Sequence, residues 1–225
     1  MPQIPHIPLQ MIPCSAILDN GTRSAIEIIQ HIGKAYGMKV LDVGCGNNKM
    51  PGAIGIDISR ESQADVIYDL NSFPYPFASD EFDLILCNHI VEHVEDPIRF
   101  MEELHRIARA GAEVRVVTPH FSNWRSYTDL THRRHLSASA FDCFVQMAAE
   151  VRPSLLGRVL EVEFPVVGAR PAVSFDKLSV RLSFGRPWRL LGVSWLANRF
   201  LNVYEAYFAF LFPARDLYFV LKAVK

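Results

Sequence analysis

The segment between residues 40 and 58 constrains the fold of this 225-residue chain more than any other. It contains two apolar runs rich in Val and Ile, VLDVGCG at 40–46 and AIGIDI at 53–58. Such runs are typical of buried parallel strands, and glycines after the first run let the backbone approach a ligand closely. Open α/β sheets bind ligands at the carboxyl ends of their strands. We therefore predict an α/β, doubly wound sheet with a ligand site at this edge.

The link between the two runs is too short for a full crossover helix. Gly44 to Gly52 comprises nine residues and includes Pro51, whereas a helical crossover needs at least about 10–12 residues. Dinucleotide-binding sheets hold a pyrophosphate at the N-terminus of that helix. The sequence therefore disfavours NAD and FAD, whereas it does not disfavour a nucleoside ligand without pyrophosphate. Asp57, which ends the second run, can accept hydrogen bonds from both hydroxyls of a ribose.

Over residues 39–118 the chain resembles the class I S-adenosylmethionine (SAM) methyltransferases, in particular the UbiE-like, methyltransferase 11 group. The likeness rests on the glycine loop, the acid at 57, the Asp69-Leu70 segment, and the fourth strand with the VEHV sequence at 91–94. The resemblance implies a Rossmann-like fold with an antiparallel last strand, and SAM as cofactor. It also implies that the cofactor is bound by Asp42, Gly44, Cys45, Gly46, Asp57, Ile58, Asp69, Leu70, Asn88 and His89.

Composition limits the class of protein and its partners. A chain of this length that is 50% hydrophobic can bury a sizeable core, and a net charge of −1 gives no nucleic-acid signature. The four cysteines, at 14, 45, 87 and 143, form no Cys-x-x-Cys pair. We therefore expect neither a disulfide framework nor a structural zinc site, and we expect a cytoplasmic location. The proline-rich residues 1–21 are expected to form an extended arm and not a signal peptide.

The alternation of apolar segments and turn residues predicts about seven strands, mostly parallel, in a core at 22–164. A helical cap insertion is expected at 165–213, followed by the last core strand at 214–225. Beyond the first two strands, the predicted elements are helices Thr22–Tyr36 and Pro97–Ala110 and strands Val66–Tyr68, Phe82–Cys87, Val114–Val117, Val159–Phe164 and Leu217–Val224.

The insertion is basic and apolar. From Arg152 to Arg199 there are eight basic against three acidic residues, which favours an anionic substrate or a membrane surface, with a solvated helical face as the alternative. Charged residues interrupt Trp188–Phe212, so it is too short for a membrane span. Helical spacing predicts a core-packing or homodimer-forming helix, with peripheral membrane contact as the minor alternative. Its apolar stripe consists of Val193, Leu196, Phe200, Val203, Tyr207 and Leu211.

Polar residues after the fifth strand are the candidates for acceptor chemistry. Methyl transfer needs an aligned nucleophile and, for a hydroxyl, a base, for which histidine is suited. We predict His120 and His132 as candidate catalytic residues. The candidate acceptor-binding residues are Asp129, Arg133, Arg134 and His135. His93 is expected to fix a turn after the fourth strand.

The spacing of His132 and His135, with Asp129 nearby, resembles a metal-binding pair. Because no His-Glu-x-x-His motif accompanies them, a chance loop cluster is favoured and no metal site is predicted. The resulting hypothesis is a SAM-dependent methyltransferase acting on a small or lipid-linked acceptor, with an anionic acceptor and an oxygen atom favoured. The alternative is a degenerate SAM-binding module that regulates or scaffolds a partner.

Overall fold

The computed structural model describes residues 37–145 and 171–225, which contain a seven-stranded sheet. Its strands are β1 (Val40–Val43), β2 (Ile54–Asp57), β3 (Val66–Ile67), β4 (Phe82–Asn88), β5 (Ala108–Pro119), β6 (Ser174–Phe184) and β7 (Ala214–Val224). Their order is β3-β2-β1-β4-β5-β7-β6. The first five strands pair in parallel, and β7 is antiparallel to both of its neighbours. The predicted Rossmann-like α/β fold is confirmed, including its antiparallel last strand.

Three predicted segments lie outside the described residues. They are the arm at 1–21, the helix Thr22–Tyr36 and the strand Val159–Phe164.

The crossover from β1 to β2 is a loop, as its length predicts. Leu41 pairs with Ile54 and Val43 with Ile56, so the two strands are parallel neighbours. The backbone N–H of Gly44 donates to the carbonyl of Ile56 at 2.8 Å, which extends the pairing of the two strands by one residue beyond β1. No helix forms between Gly44 and Ile54. The loop therefore lies directly at the carboxyl edge of the sheet.

The helix α1 (Pro97–Ile107) connects β4 to β5. Asp96 caps it by accepting from the N–H groups of the second and third residues that follow, both at 3.0 Å. Phe100, Leu104 and Ile107 are fully buried, as the periodicity predicts. The predicted end of the helix at Ala110 is wrong, because Ala108 is extended and pairs with Phe82.

The insertion begins later than predicted. Ser174–Phe184, placed in the 165–213 insertion by the sequence, is the strand β6, and it pairs along its length with β7. Between these two strands lie the helical pieces α2 (Arg186–Leu190), α3 (Val193–Arg199), α4 (Leu201–Val203) and a π-helical turn (Tyr204–Phe208).

The expected single apolar helix does not form in this region. Gly192, with φ +75°, ends α2, and Phe200, with φ −129° and ψ 55°, separates α3 from α4. Because the helix is interrupted, the apolar residues of the predicted stripe do not lie on one continuous helical face. Leu196, Tyr207 and Leu211 are 50%, 51% and 66% exposed. Within residues 37–145 and 171–225, no helix has the length and apolar character required to cross a bilayer.

Removing a buried ring from α1 tests the core. Phe100→Ala is expected to lower the free energy of unfolding by about 3–5 kcal/mol, because it leaves a cavity at a fully buried position. Ile98→Ala, on the same helix but 39% exposed, is the matched control and should cost less than about 1 kcal/mol. Urea unfolding measures both. Equal losses in the two variants would contradict the assigned inner face.

Candidate active site

The glycine loop requires glycine at Gly44. Its φ is +67°, and a Cβ at this position would lie 2.7 Å from side-chain atoms of Ile90. Both the backbone conformation and the space therefore exclude a larger residue. Gly46 also has a positive φ, of +48°. The buried neighbour Cys45 contributes no thiolate, because burial and the nearby carboxylates raise its pKa to about 11.

Carboxylates at the strand ends hold this loop. Asp42 of β1 is buried, and its Oδ2 accepts from the N–H of Met50 at 2.7 Å. Burial raises its pKa, and this hydrogen bond opposes the rise. Asp57, at the end of β2, accepts from the N–H of Gly46 through Oδ2 and of Ser59 through Oδ1, both at 2.8 Å. Asp57 thus lies beside the glycine loop, at the position predicted for the ribose-binding acid.

The ammonium group of Lys49 is engaged by a carboxylate and is not free to bind a ligand at this edge. Its Nζ is 2.9 Å from both carboxylate oxygens of Asp65, and the same carboxylate accepts from the N–H of Gly55 at 2.7 Å. The backbone hydrogen bond and Lys49 together lower the pKa of Asp65. Since the lysine is engaged, the loop amides are the better candidates for binding the methionine carboxylate of SAM.

The remaining predicted cofactor residues follow the ends of β2, β3 and β4. Ile58 and Asp69 are exposed, and Leu70 is buried. Asn88 and His89 are exposed at the end of β4, where His89 has φ +53°. Because the carboxyl ends of parallel strands share one edge, the structure places all ten predicted cofactor residues at or beneath the same edge.

Two cavities extend from the edge of the sheet where β4 ends, and His89 lines one of them. One, of about 710 Å³, is lined by residues that include His89, Glu92, His93, Asp129 and His132. The other, of about 800 Å³, is lined by five arginines: Arg181, Arg186, Arg189, Arg199 and Arg215. We call the first the acceptor cavity and the second the arginine cavity. The two cavities adjoin, because Arg215 and Asp216 line both.

His120 has no nitrogen available for a substrate. It is fully buried, and its Nδ1 accepts from the backbone N–H of Ser122 at 3.1 Å. The proton is therefore on Nε2, which donates to Oε1 of Glu205 at 3.1 Å. Glu205 also accepts from the N–H of Ala138. These contacts join β5 to the helical segment and do not support the predicted catalytic role of His120.

His132, in contrast, lines the acceptor cavity, and its hydrogen bonding determines which ring nitrogen has the lone pair. Its Nδ1 lies 2.9 Å from the carbonyl oxygen of Ser126, which can only accept, so Nδ1 carries the proton. The Nε2 atom is then the unprotonated nitrogen of the neutral ring. A predicted catalytic role for His132 remains compatible with this geometry.

The predicted acceptor-binding arginines contact protein groups. Nη2 of Arg133 is 2.8 Å from Oε1 of Glu95, and the guanidinium of Arg134 donates to the backbone carbonyls of Val94 and Glu95. His135 stacks on Tyr127 at 3.9 Å, outside the acceptor cavity. Of the four predicted acceptor-binding residues, Asp129 alone lines that cavity. The others hold the 129–135 loop in place.

Sequence reasoning missed Glu92 and Asp216. Glu92 is buried, and its carboxylate, 3.4 Å from Nδ1 of His89, raises the pKa of that histidine. Burial raises the pKa of Asp216, which also accepts from the hydroxyl of Ser183 at 3.2 Å. Asp216 belongs to no recognisable local motif, and the VEHV sequence that contains Glu92 indicated the family without giving this acid a role. Their role depends on contacts with distant parts of the chain.

Replacing Asp57 tests the cofactor edge. Asp57→Ala should weaken SAM binding by about 1.5–3 kcal/mol, or roughly 10–100-fold, because it removes a charged acceptor from the ribose side. Isothermal titration calorimetry measures the affinity, and Asp176→Ala, an exposed acid on β6, is the matched control. A folded Asp57 variant with unchanged affinity would refute the assignment. Gly44→Val should weaken binding more, since its side chain meets Ile90.

Comparison with known proteins identifies the family of this chain. The model of the methyltransferase-domain family matches residues 18–146, more than half of the chain. Ajmaline N-methyltransferase of Rauvolfia serpentina is 25% identical over 89 residues, which cover 39% of this chain and 31% of that protein. An uncharacterized protein of Methanocaldococcus jannaschii is 31% identical over 101 residues, covering 41% of this chain and 49% of its own length. This chain thus spans half or less of these relatives.

Among solved structures, a SAM-dependent methyltransferase from Archaeoglobus fulgidus has a TM-score of 0.48 at 18% identity, over 88% of this chain and 94% of that chain. The family assignment itself rests on the family model, whose match runs from the segment before β1 to the loop after β5. The chain belongs to the methyltransferase-domain family of class I SAM-dependent methyltransferases.

Proposed function

We propose that this chain transfers the methyl group of SAM to an oxygen atom of an anionic acceptor. The observation that carries the proposal is the adjoining pair of cavities. One begins at His89, beside the cofactor edge, and the other is lined by five arginines. An acceptor that reaches from one to the other would place its anionic group among the arginines and its nucleophile near SAM.

The charge of the arginine cavity supports an anionic acceptor. Asp216 is the one acidic residue among those that line it, against five arginines. Such an excess attracts anions, and guanidinium groups bind carboxylates and phosphates through paired hydrogen bonds. Four of the eight basic residues counted between Arg152 and Arg199 line this concave surface beside the acceptor cavity, namely Arg181, Arg186, Arg189 and Arg199.

Exposed apolar side chains beside the arginine cavity support a lipid-linked acceptor. Leu190, Leu191 and Trp195 are 77%, 70% and 69% exposed, and Trp195 lines the cavity itself. An apolar tail attached to an anionic group would contact these residues while the group binds the arginines. The same surface would bring the protein into peripheral contact with an anionic membrane.

His132 supplies the acceptor side with a proton-accepting nitrogen in this proposal. A hydroxyl nucleophile must lose its proton as the methyl group is transferred, and a neutral imidazole is suited to receive it. The Ser126 carbonyl fixes the tautomer that leaves Nε2 unprotonated. Oxygen methylation is therefore the reaction that this side of the cavity supports best.

The acceptor's charge can be tested with labelled SAM. We expect methyl transfer to hydroxylated carboxylates or phosphates in preference to their uncharged esters. Arg199→Gln should raise KM for the anionic member by about 10–100-fold, the range for hydrogen bonds to charged groups, with SAM affinity unchanged. Arg99→Gln, an exposed arginine on α1, is the control. Preference for the uncharged esters would contradict the proposal, and SAM binding without transfer to any acceptor would favour a regulatory module.

The role of His132 can be tested separately. His132→Gln should lower kcat by about 10²–10⁴-fold, the usual contribution of a general base, while SAM affinity stays nearly constant. Partial recovery of turnover at high pH would identify proton removal as the lost step. His120→Gln should instead lower the melting temperature, because His120 joins β5 to the helical segment. Full turnover in the His132 variant would exclude it from the reaction.

A further inference from the structure

The carboxylate of Glu92 is buried with one oxygen unsatisfied. The residue is 1% exposed, and its Oε2 accepts from the hydroxyl of Thr118 at 3.1 Å. Its Oε1 is buried and has no hydrogen-bond partner within the described residues, although Nδ1 of His89 lies 3.4 Å away. A buried carboxylate oxygen without a hydrogen bond is costly, so this position favours a bound cation.

Two imidazoles lie close to this carboxylate. Glu92, His93 and His132 each offer a ligand atom, and the three atoms lie within 4.8 Å of one another. The two rings are 4.7 Å apart at 70° to each other. His93 belongs to the loop after β4 and His132 to the loop after β5, so the tertiary fold brings them together. All three residues line the acceptor cavity.

Hydrogen bonds at Nδ1 leave Nε2 as the nitrogen of each ring that can bind a metal. Nδ1 of His132 donates to the carbonyl of Ser126, as described above. Nδ1 of His93 lies 2.9 Å from Oγ1 of Thr131, whose own proton goes to Oδ1 of Asp129 at 2.6 Å. Thr131 therefore accepts from His93, and Nε2 is unprotonated in both rings. Oxygen acceptors on Nδ1 are the usual supports of metal-binding histidines.

We propose that Glu92, His93 and His132 bind a divalent transition metal ion of the zinc type. Two histidines and one carboxylate form the ligand set of open zinc sites, in which a further position remains for water or substrate. Here that position would face the acceptor cavity. The sequence predicted no metal site for His132 together with His135 and Asp129. In the structure His132 lies instead with Glu92 and His93.

The inference goes beyond the proposed function and refines the role of His132. A bound metal ion would occupy Nε2 of His132. This histidine would then be a ligand of the metal and not a free base for the acceptor. Metal binding is measured without turnover, so the two proposals can fail independently. A protonated His89 is the competing cation for Glu92, and in that case the three residues would bind no metal.

Titration of metal-free protein with Zn²⁺ tests the site, with Co²⁺ and its visible absorption as a second probe. We expect one ion per chain. Glu92→Gln, His93→Gln and His132→Gln should each weaken binding by at least about 10²-fold, and Thr131→Val, which frees the ring of His93, by about 10–100-fold. His105→Gln, on α1 and outside the acceptor cavity, is the control and should bind as the wild type does.

Melting temperatures show whether each variant folds. Thr131 is exposed, so Thr131→Val provides a readout even if a ligand variant is unstable. Failure of the wild type to take up Zn²⁺ or Co²⁺ would overturn the proposal. So would ligand variants or a Thr131 variant that bind as tightly as the wild type, since a purely structural histidine pair would not control metal affinity.

Discussion

Hydrogen bonds between carboxylates and loop amides are the constraint on which the cofactor edge depends. A crossover without a helix has no intrahelical bonds for its N–H groups, and they must find other acceptors. Asp42 and Asp57 supply acceptors for the N–H groups of Met50 and Gly46, at 2.7 and 2.8 Å. Asp65 likewise binds the N–H of Gly55 in β2 at 2.7 Å. Charge-assisted bonds of this kind are stronger than neutral ones. The same acids that suit a ribose or an ammonium therefore also shape the loop.

Local patterns predicted the parts of the fold that local interactions determine. The β1–β2 segment and the buried face of α1 follow from apolar runs, glycines and a proline, and the structure confirms them. The end of α1 depends instead on the pairing of Ala108 with Phe82, which overrides the helical propensity of the sequence at 108–110. Strand β6 was missed because irregular pairing between Lys177 and Ser179 interrupts its apolar alternation.

The acceptor side was less predictable because its contacts join distant residues. His120 and Glu205 are 85 positions apart, and their pairing occupies Nε2 of a histidine that the sequence predicted to be catalytic. Thr118 and Glu92 are 26 positions apart. Residue type alone indicates that a histidine or acid can titrate, but burial and partners decide which nitrogen or oxygen is available. His132 remains available because its partner is a backbone carbonyl.

The arginines expected to bind the acceptor have a role that follows from their contacts. The ion pair of Arg133 with Glu95 is solvent-exposed, at 54% and 59%, and such pairs contribute only about 0–1 kcal/mol. The backbone N–H of Arg133, however, donates to the carbonyl of Glu92 at 2.9 Å. Arg134 adds bonds to the carbonyls of Val94 and Glu95. Backbone contacts between the two loops thus fix His132 beside Glu92, so the distance between them depends little on surface charge or salt.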